Sequence, residues 1–256
     1  MDTRIKKSKL NKIMQEFPKS LVLLPSWLVS KGYPYELQQQ YRKNNWLRSI
    51  GKGAMVKSDD HLLLSGALSA LQLQLNINIH YGGRSALELQ GGSHYLRLAV
   101  SDATLFVLGQ TRLPSWFVNN KWDSSYQIFK ISLFRNDAIG LVDYKDDYIT
   151  LKISSMGRAI MECIALCPDN FSLTEAYELM EGLSTLRPKQ IQELLEECKS
   201  IKVKRLFLYF AERIGHSWFK YIDQTKIDLG SGKRSVTTNG VLVPKYNLVL
   251  PKELVQ

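Results

Sequence analysis

The sequence predicts an α+β chain, with an N-terminal winged helix-turn-helix over residues 1–60. A larger mixed α/β domain over residues 61–256 follows, strand-rich to about 153 and ending in a helical region from about 154 to 222. Three observations predict this. Short helical and strand-like periods succeed one another in the first 60 residues, strand-like runs separated by turns fill the middle, and helical periodicity takes over after Ser154. The charge divides in the same place. Twelve Lys and Arg stand in the first 57 residues against only Asp2, Glu16 and Glu36, so this segment holds nine of the ten net positive charges. A basic field confined to one small module points to a polyanionic partner.

The head takes its elements in order. Leu10, Ile13, Met14 and Phe17 recur at helical spacing with lysines opposite, and Pro18 ends that helix. A short apolar stretch over 21–24 stops at Pro25, after which Ser26 offers a side-chain oxygen as the cap of a second short helix closed by Gly32. Pro34 suits the first position of a third helix, where a missing N–H leaves nothing unpaired, and Leu37 and Tyr41 form its inward i, i+4 pair. Asn44 and Asn45 end it. Residues 46–50 and 54–57 then alternate as short strands about the turn Gly51-Lys52-Gly53.

If Leu37 and Tyr41 point inward, a turn of about 100° per residue places Tyr35, Gln38, Gln39, Arg42 and Lys43 outward. Gln pairs bidentately with adenine and Arg with guanine in the major groove, while Lys grips phosphate. The expected DNA-contacting set is therefore Ser26, Tyr35, Gln38, Gln39 and Arg42, with Lys43, Arg48 and the wing residue Lys52 on phosphates. A disordered basic tail would carry the same charge. It would not need a proline at a helix start, an inward apolar pair or a glycine-flanked lysine between strands.

Asp59 and Asp60 mark a composition break, and the domain boundary is expected near residue 60. Residues 62–75 form a strongly apolar helix with small residues suited to close packing. A strand over 77–81 leads through Gly82-Gly83-Arg84-Ser85 into a helix over 86–90. Backbone N–H groups there could cradle a phosphate, although the full P-loop spacing is missing and a tight structural turn is the simpler reading. Residues 95–100, 104–108, 126–131 and 148–153 are expected as strands, with Pro114, Trp116, Phe117 and Trp122 in the core between them. Asp146 and Asp147 belong to a polar hairpin turn between Leu141 and Tyr148. Beyond Ser154 come a helix over 156–166 ended by Pro168, a second opened by the capping box Ser172-Leu173-Thr174-Glu175, and a third opened by Pro188. Val203, Leu206, Phe207, Phe210 and Ile214 then continue as an amphipathic helix.

Residues 58–198 hold 11 basic and 17 acidic side chains, whereas residues 199–234 hold nine basic against Glu212, Asp223 and Asp228. The later cluster, with the flexible stretch Gly230-Ser231-Gly232-Lys233-Arg234 and neighbouring aromatics, could be a second nucleic-acid surface or a nucleotide-phosphate contact. A solvated basic helix face explains it equally well. His61, His80, His94 and His216 are scattered without metal-ligand spacing, no serine sits in a nucleophile elbow, and no cofactor or metal is expected. Cys163, Cys167 and Cys198 suit buried thiols in a reducing compartment, and chelation by the first two is a weak idea. With 45% hydrophobic and 23% charged residues the chain should be folded; no apolar run approaches the roughly 20 residues of a bilayer span, and a cytoplasmic location follows.

The segments Pro25-Ser26-Trp27-Leu28, Gly32, residues 46–54 and residues 82–91 resemble the AbiEi family of bacterial type IV antitoxins. So do residues 178–183, Leu186-Arg187-Pro188 and residues 202–208, so the resemblance runs through nearly the full chain. The resemblance implies a head that binds inverted repeats of double-stranded DNA in its own promoter and represses its operon. It implies a C-terminal domain that counteracts a nucleotidyltransferase toxin without a stable complex. No family motif assigns the antitoxic residues; local charge singles out Lys202, Lys204, Arg205, Lys233 and Arg234. The rival expectation is a nucleic-acid-processing enzyme whose winged helix delivers the substrate.

Overall fold

The computed structural model describes residues 3–91, 102–109, 111–146 and 149–255, so the strand expected over 95–100 lies outside the described residues, as do Asp147 and Tyr148. The chain falls into two compact units. One comprises residues 1–80, 107–127 and 143–152, and the other residues 81–106, 128–142 and 153–256.

The first unit opens with α1 (Thr3–Glu16), α2 (Pro25–Ser30) and α3 (Tyr35–Lys43), then the hairpin of β1 (Leu47–Gly51) and β2 (Ala54–Lys57), then α4 (Leu64–Leu75). Three helices and an antiparallel hairpin make the winged helix-turn-helix. Ile13, Leu28, Leu37, Tyr41 and Met55 share its apolar centre. The 21–24 stretch adds a further edge to the wing through Leu23, which exchanges both backbone hydrogen bonds with Met55 at 2.7 and 3.0 Å. Two helix starts differ from expectation, α2 by two residues and α3 by one. Proline supplies the reason in both cases: Pro25 occupies the first turn of α2, so Leu24 and not Ser26 is the cap, and Pro34 with ψ near 158° is itself the cap of α3.

The acidic pair closes the wing. Asp60 accepts a hydrogen bond from the Ser20 N–H at 2.8 Å, and α4 follows directly, packed on the head. Gln74 of α4 accepts from the Leu24 N–H at 2.9 Å and donates to the Val22 carbonyl at 2.6 Å. At Gly66 a Cβ would lie 1.9 Å from the Ser20 carbonyl oxygen, so only glycine permits that approach.

Five further strands, β3 (Ile79–Tyr81), β4 (Ala103–Val107), β5 (Tyr126–Phe129), β6 (Leu141–Asp146) and β7 (Ile149–Ser154), form one sheet in the order β5-β4-β3-β7-β6. The stretch from Leu141, expected as a turn, is mostly the strand β6. Between strands lie α5 (Gly83–Leu89) and the short α6 (Ser115–Val118). Trp116 and Phe117 of α6 are buried, and Phe117 packs on Trp122 and Tyr126, the aromatic cluster the sequence suggests.

In the second unit α7 (Met156–Leu166), α8 (Leu173–Glu181), α9 (Pro188–Glu197) and α10 (Ile201–Ile214) build a helical core. Ser155, Ser172 and Ser200 cap α7, α8 and α10 by accepting backbone N–H bonds. A small sheet with order β8-β10-β9, from β8 (Arg234–Ser235), β9 (Val241–Val243) and β10 (Leu248–Leu250), follows; its strands are too short to leave a periodic signal. α10 is not amphipathic in the ordinary sense. It is buried on every side from Val203 to Ala211, Lys204 and Arg205 included.

Candidate nucleic-acid interface

α3 presents its outer face across a cleft of about 410 Å3 to the wing. Tyr35, Gln38, Gln39 and Arg42 line it from the helix, and Ser49, Gly51 and Lys52 are among the residues that line it from the hairpin. Tyr35 is 55% exposed, and Gln39, Arg42, Lys43 and Lys52 are exposed as well. Leu37 and Tyr41 point the other way and are buried, which sets the helix's rotation. Burial pushes the Tyr41 phenol up to about 12, so it stays neutral behind the cationic face. The face thus combines amides and a guanidinium on a helix with an ammonium on an adjacent turn. It can form bidentate bonds to base edges and single bonds to phosphate.

Gln38 lines the floor of the cleft but is not exposed on that face. It is 2% exposed, and its side-chain amide donates to the Tyr33 carbonyl at 2.7 Å and to the Pro25 carbonyl at 3.0 Å. The reason is angular: Gln38 lies about 60° from Tyr41 around the helix, at the edge of the buried face, where a polar side chain can serve the turn between α2 and α3. Arg48 is also a correction. Its guanidinium donates to the Ser58 carbonyl at 3.2 Å and the Asp60 carbonyl at 2.7 Å, which fastens the exit of the wing. Ser26 is exposed on α2 but is not its cap.

Other basic groups of the head have internal duties. Lys57 is buried, and its ammonium donates to the carbonyls of Met14 at 3.1 Å and Phe17 at 2.6 Å near the end of α1. Burial lowers its pKa, partly countered by Asp60. Lys9 donates to the Gly32 carbonyl at 2.7 Å.

Ser49 of the cleft escaped the sequence reading. Strand alternation groups it with buried Leu47, whereas the register shift between Ser49 and Gly51 turns it out.

The candidate phosphate cradle is occupied by the protein itself. Gly83 N–H donates to Glu162 Oε2 at 2.9 Å, Ser154 Oγ donates to the same oxygen at 2.8 Å, and Arg158 pairs with Glu162 Oε1 at 2.8 Å. A Cβ at Gly82 would sit 2.3 Å from Glu162 Oε2, so the glycine admits this carboxylate and not a ligand. Of the residues singled out in the second basic region, Lys233 and Arg234 are exposed. Lys202 is half-buried, and Lys204 and Arg205 are buried. Lys202 donates to the Ala165 and Cys167 carbonyls at 3.2 and 2.5 Å, Lys204 is 4% exposed, and Arg205 is 2% exposed. Arg205 donates to the carbonyls of Leu229, Gly230, Gly232 and Asn247 at 2.6–3.1 Å, which pins the glycine-rich stretch expected to be flexible. No group of three or more His, Cys, Asp or Glu among the described residues could hold a metal ion, and no helix among them is long and apolar enough to cross a membrane.

Comparison with known proteins gives two family matches. Residues 6–98 match "Transcriptional regulator, AbiEi antitoxin N-terminal domain", and residues 101–251 match "Transcriptional regulator, AbiEi antitoxin, Type IV TA system". Among solved structures, the crystal structure of RV2827C protein from Mycobacterium tuberculosis is similar over 96% of this chain and 90% of that chain, with a TM-score of 0.60 and 15% identity. That likeness is one of fold. No curated protein matches.

Proposed function

Because the chain belongs to the AbiEi family of type IV antitoxins and transcriptional regulators, we propose that its head binds inverted repeats in its own promoter and represses its operon. In this reading Gln39 and Arg42 contact base edges in the major groove, Lys43 and Lys52 hold phosphates, and Ser26 and Tyr35 flank them. The observation that carries it is the shared exposed face of α3, facing wing residue Lys52 across one cleft. The C-terminal unit counteracts a nucleotidyltransferase toxin without a stable complex, in the cytoplasm and without turnover of its own; exposed Lys233 and Arg234 remain the basic residues available for that role.

The test is a salt-controlled titration of the full-length protein with its own promoter and with a scrambled duplex of equal length. Specific binding should exceed non-specific binding by about 10³-fold or more, and log affinity should fall linearly with log salt. Equal affinity for both duplexes would reject the repressor reading. Coexpression with the neighbouring toxin gene tests the other half: rescue of growth without co-purification is the expected result.

A further inference from the structure

We propose that the C-terminal unit carries a pocket for a phosphate group, built around Lys204. This goes beyond the repressor reading and rests on no part of it. The cavity measures about 350 Å3, at the small end of ligand pockets, and is lined by Arg135, Glu196, Cys198, Lys199, Lys204, Lys226 and Asp228. Its wall is ordered. Phe134 and Cys198 form an antiparallel bridge, the Arg135 N–H donates to the Glu197 carbonyl at 3.0 Å, and the Lys199 N–H to the Leu133 carbonyl at 2.9 Å. Lys204 stands in the first turns of α10, which Ser200 caps directly behind this wall.

Lys204 is the unusual member. It is 4% exposed, and its ammonium has no hydrogen-bond or ion-pair partner among the described residues. The other buried cations all have one: Lys57 has two carbonyls, Arg158 has Glu162, and Arg205 has four carbonyls. No fully buried side-chain nitrogen or oxygen among the described residues lacks a partner, so the Lys204 ammonium touches the open space of the cavity that it lines. A buried ammonium without a direct hydrogen-bond or ion-pair partner is costly unless an acceptor completes it.

The remaining lining supplies more of the same sign. Arg135 donates to the Glu196 carbonyl and lies 3.5 Å from Glu197, Lys199 donates to Ser132 Oγ, and Lys226 lies 3.5 Å from the exposed Asp223; each ammonium or guanidinium keeps further donors. The two carboxylates are engaged sideways, Glu196 with the Gln192 amide and Asp228 with the Gly230 N–H. Burial pushes the Cys198 thiol up to about 11, so it adds no negative charge at neutral pH. Arg135 and Lys226 are paired with Glu197 and Asp223 beside the cavity, so what selects a phosphate oxygen is not a charge surplus but the unpartnered Lys204 ammonium with the spare donors of Arg135, Lys199 and Lys226 around it.

The experiment measures thermal stability and calorimetric binding of the full-length protein with inorganic phosphate, using chloride at equal ionic strength as reference. A nucleoside 5′-monophosphate and one oligonucleotide with and without its 5′-phosphate distinguish a free ligand from a nucleic-acid end. Phosphate should stabilise the wild type beyond chloride. Lys204→Met should melt at or above the wild-type temperature without phosphate and bind phosphate at least about tenfold more weakly. Lys226→Ala, at an exposed position, should weaken binding severalfold with the fold intact and keeps the test open should Lys204→Met misfold. Tighter binding of the 5′-phosphorylated strand than of its unphosphorylated twin, lost in the variants, would identify a nucleic-acid end. Stabilisation by phosphate no greater than by chloride, or an undiminished phosphate response in both variants, would overturn the proposal.

Discussion

Gln38 and Gln39 are sequence neighbours with opposite roles, and substituting each by alanine separates them. Gln38 is 2% exposed and donates to two carbonyls, those of Tyr33 and Pro25, at 2.7 and 3.0 Å. Each such bond contributes about 0.5–1.5 kcal/mol net, and its loss leaves a carbonyl unpaired, so Gln38→Ala should destabilise the head by about 2 kcal/mol. Gln38→Glu should cost more, since a carboxylate would then face two carbonyl oxygens. Gln39 is exposed. Gln39→Ala should leave stability within about 0.5 kcal/mol and remove about 1–3 kcal/mol of discrimination between promoter and scrambled DNA. Urea unfolding gives the first quantity. Titrations corrected for the folded fraction give the second, and there Gln38→Ala should keep the wild-type specificity ratio. A fully stable Gln38→Ala protein that has lost its base preference would refute the reasoning, because Gln38 would then have to leave the turn to reach DNA.

Arg42→Ala should relax base preference at a cost of about 1–3 kcal/mol, while Lys52→Ala should weaken all duplexes alike and flatten the salt slope by about one unit; a sequence-dependent effect of Lys52→Ala would contradict its phosphate role. Arg205→Met leaves four carbonyls of the 229–247 region without their charged donor and should lower stability by about 3–5 kcal/mol, with hydrogen exchange rising first around Gly230 and Gly232. Gly66→Ala drives a methyl into the Ser20 carbonyl and should cost at least about 1–3 kcal/mol, measured by melting. Alkaline pH should destabilise the protein: burial raises the Cys198 thiol to about 11 and the Cys167 thiol to about 12 from the ordinary 9.0. The folded state holds these protons longer, so their contribution is complete below pH 9 and is lost as pH rises through 11 and 12. Each group adds a slope of up to about 1.4 kcal/mol per pH unit, and Cys198→Ala should remove one such share; an unchanged slope would exclude Cys198. Lys57, lowered by burial, works in the opposite direction and makes the single variant the proper comparison.

The head was legible because its signals are local. Prolines at 25 and 34, the glycine at 32, the Leu37 and Tyr41 pair and the two-residue strand period each dictate backbone within a few positions, and the structure departs from them by one or two residues. The small C-terminal sheet was not legible, since strands of two or three residues show no period and are fixed by Arg205, far away in sequence. The role of Gly82 and Gly83 was equally hidden. A glycine pair before a helix looks the same whether it awaits a phosphate or admits Glu162, and that residue is 79 positions from Gly83.

The site was less legible than the fold for one physical reason. Net charge counts cations without asking where their donors go, and a folded chain uses many of them on its own carbonyls. Lys57 holds the end of α1, Arg48 the exit of the wing, Lys202 the end of α7, and Arg205 a whole loop. Each spends donors on the protein's own carbonyls, although each counts fully in the basic balance of its segment. The informative cation is the one whose donors the protein does not use. On α3 and the wing that criterion keeps Arg42, Lys43 and Lys52, which are exposed, and sets aside Arg48. In the C-terminal unit it keeps Lys233 and Arg234 at the surface and isolates Lys204 within the fold, where burial without a partner carries more information than exposure would.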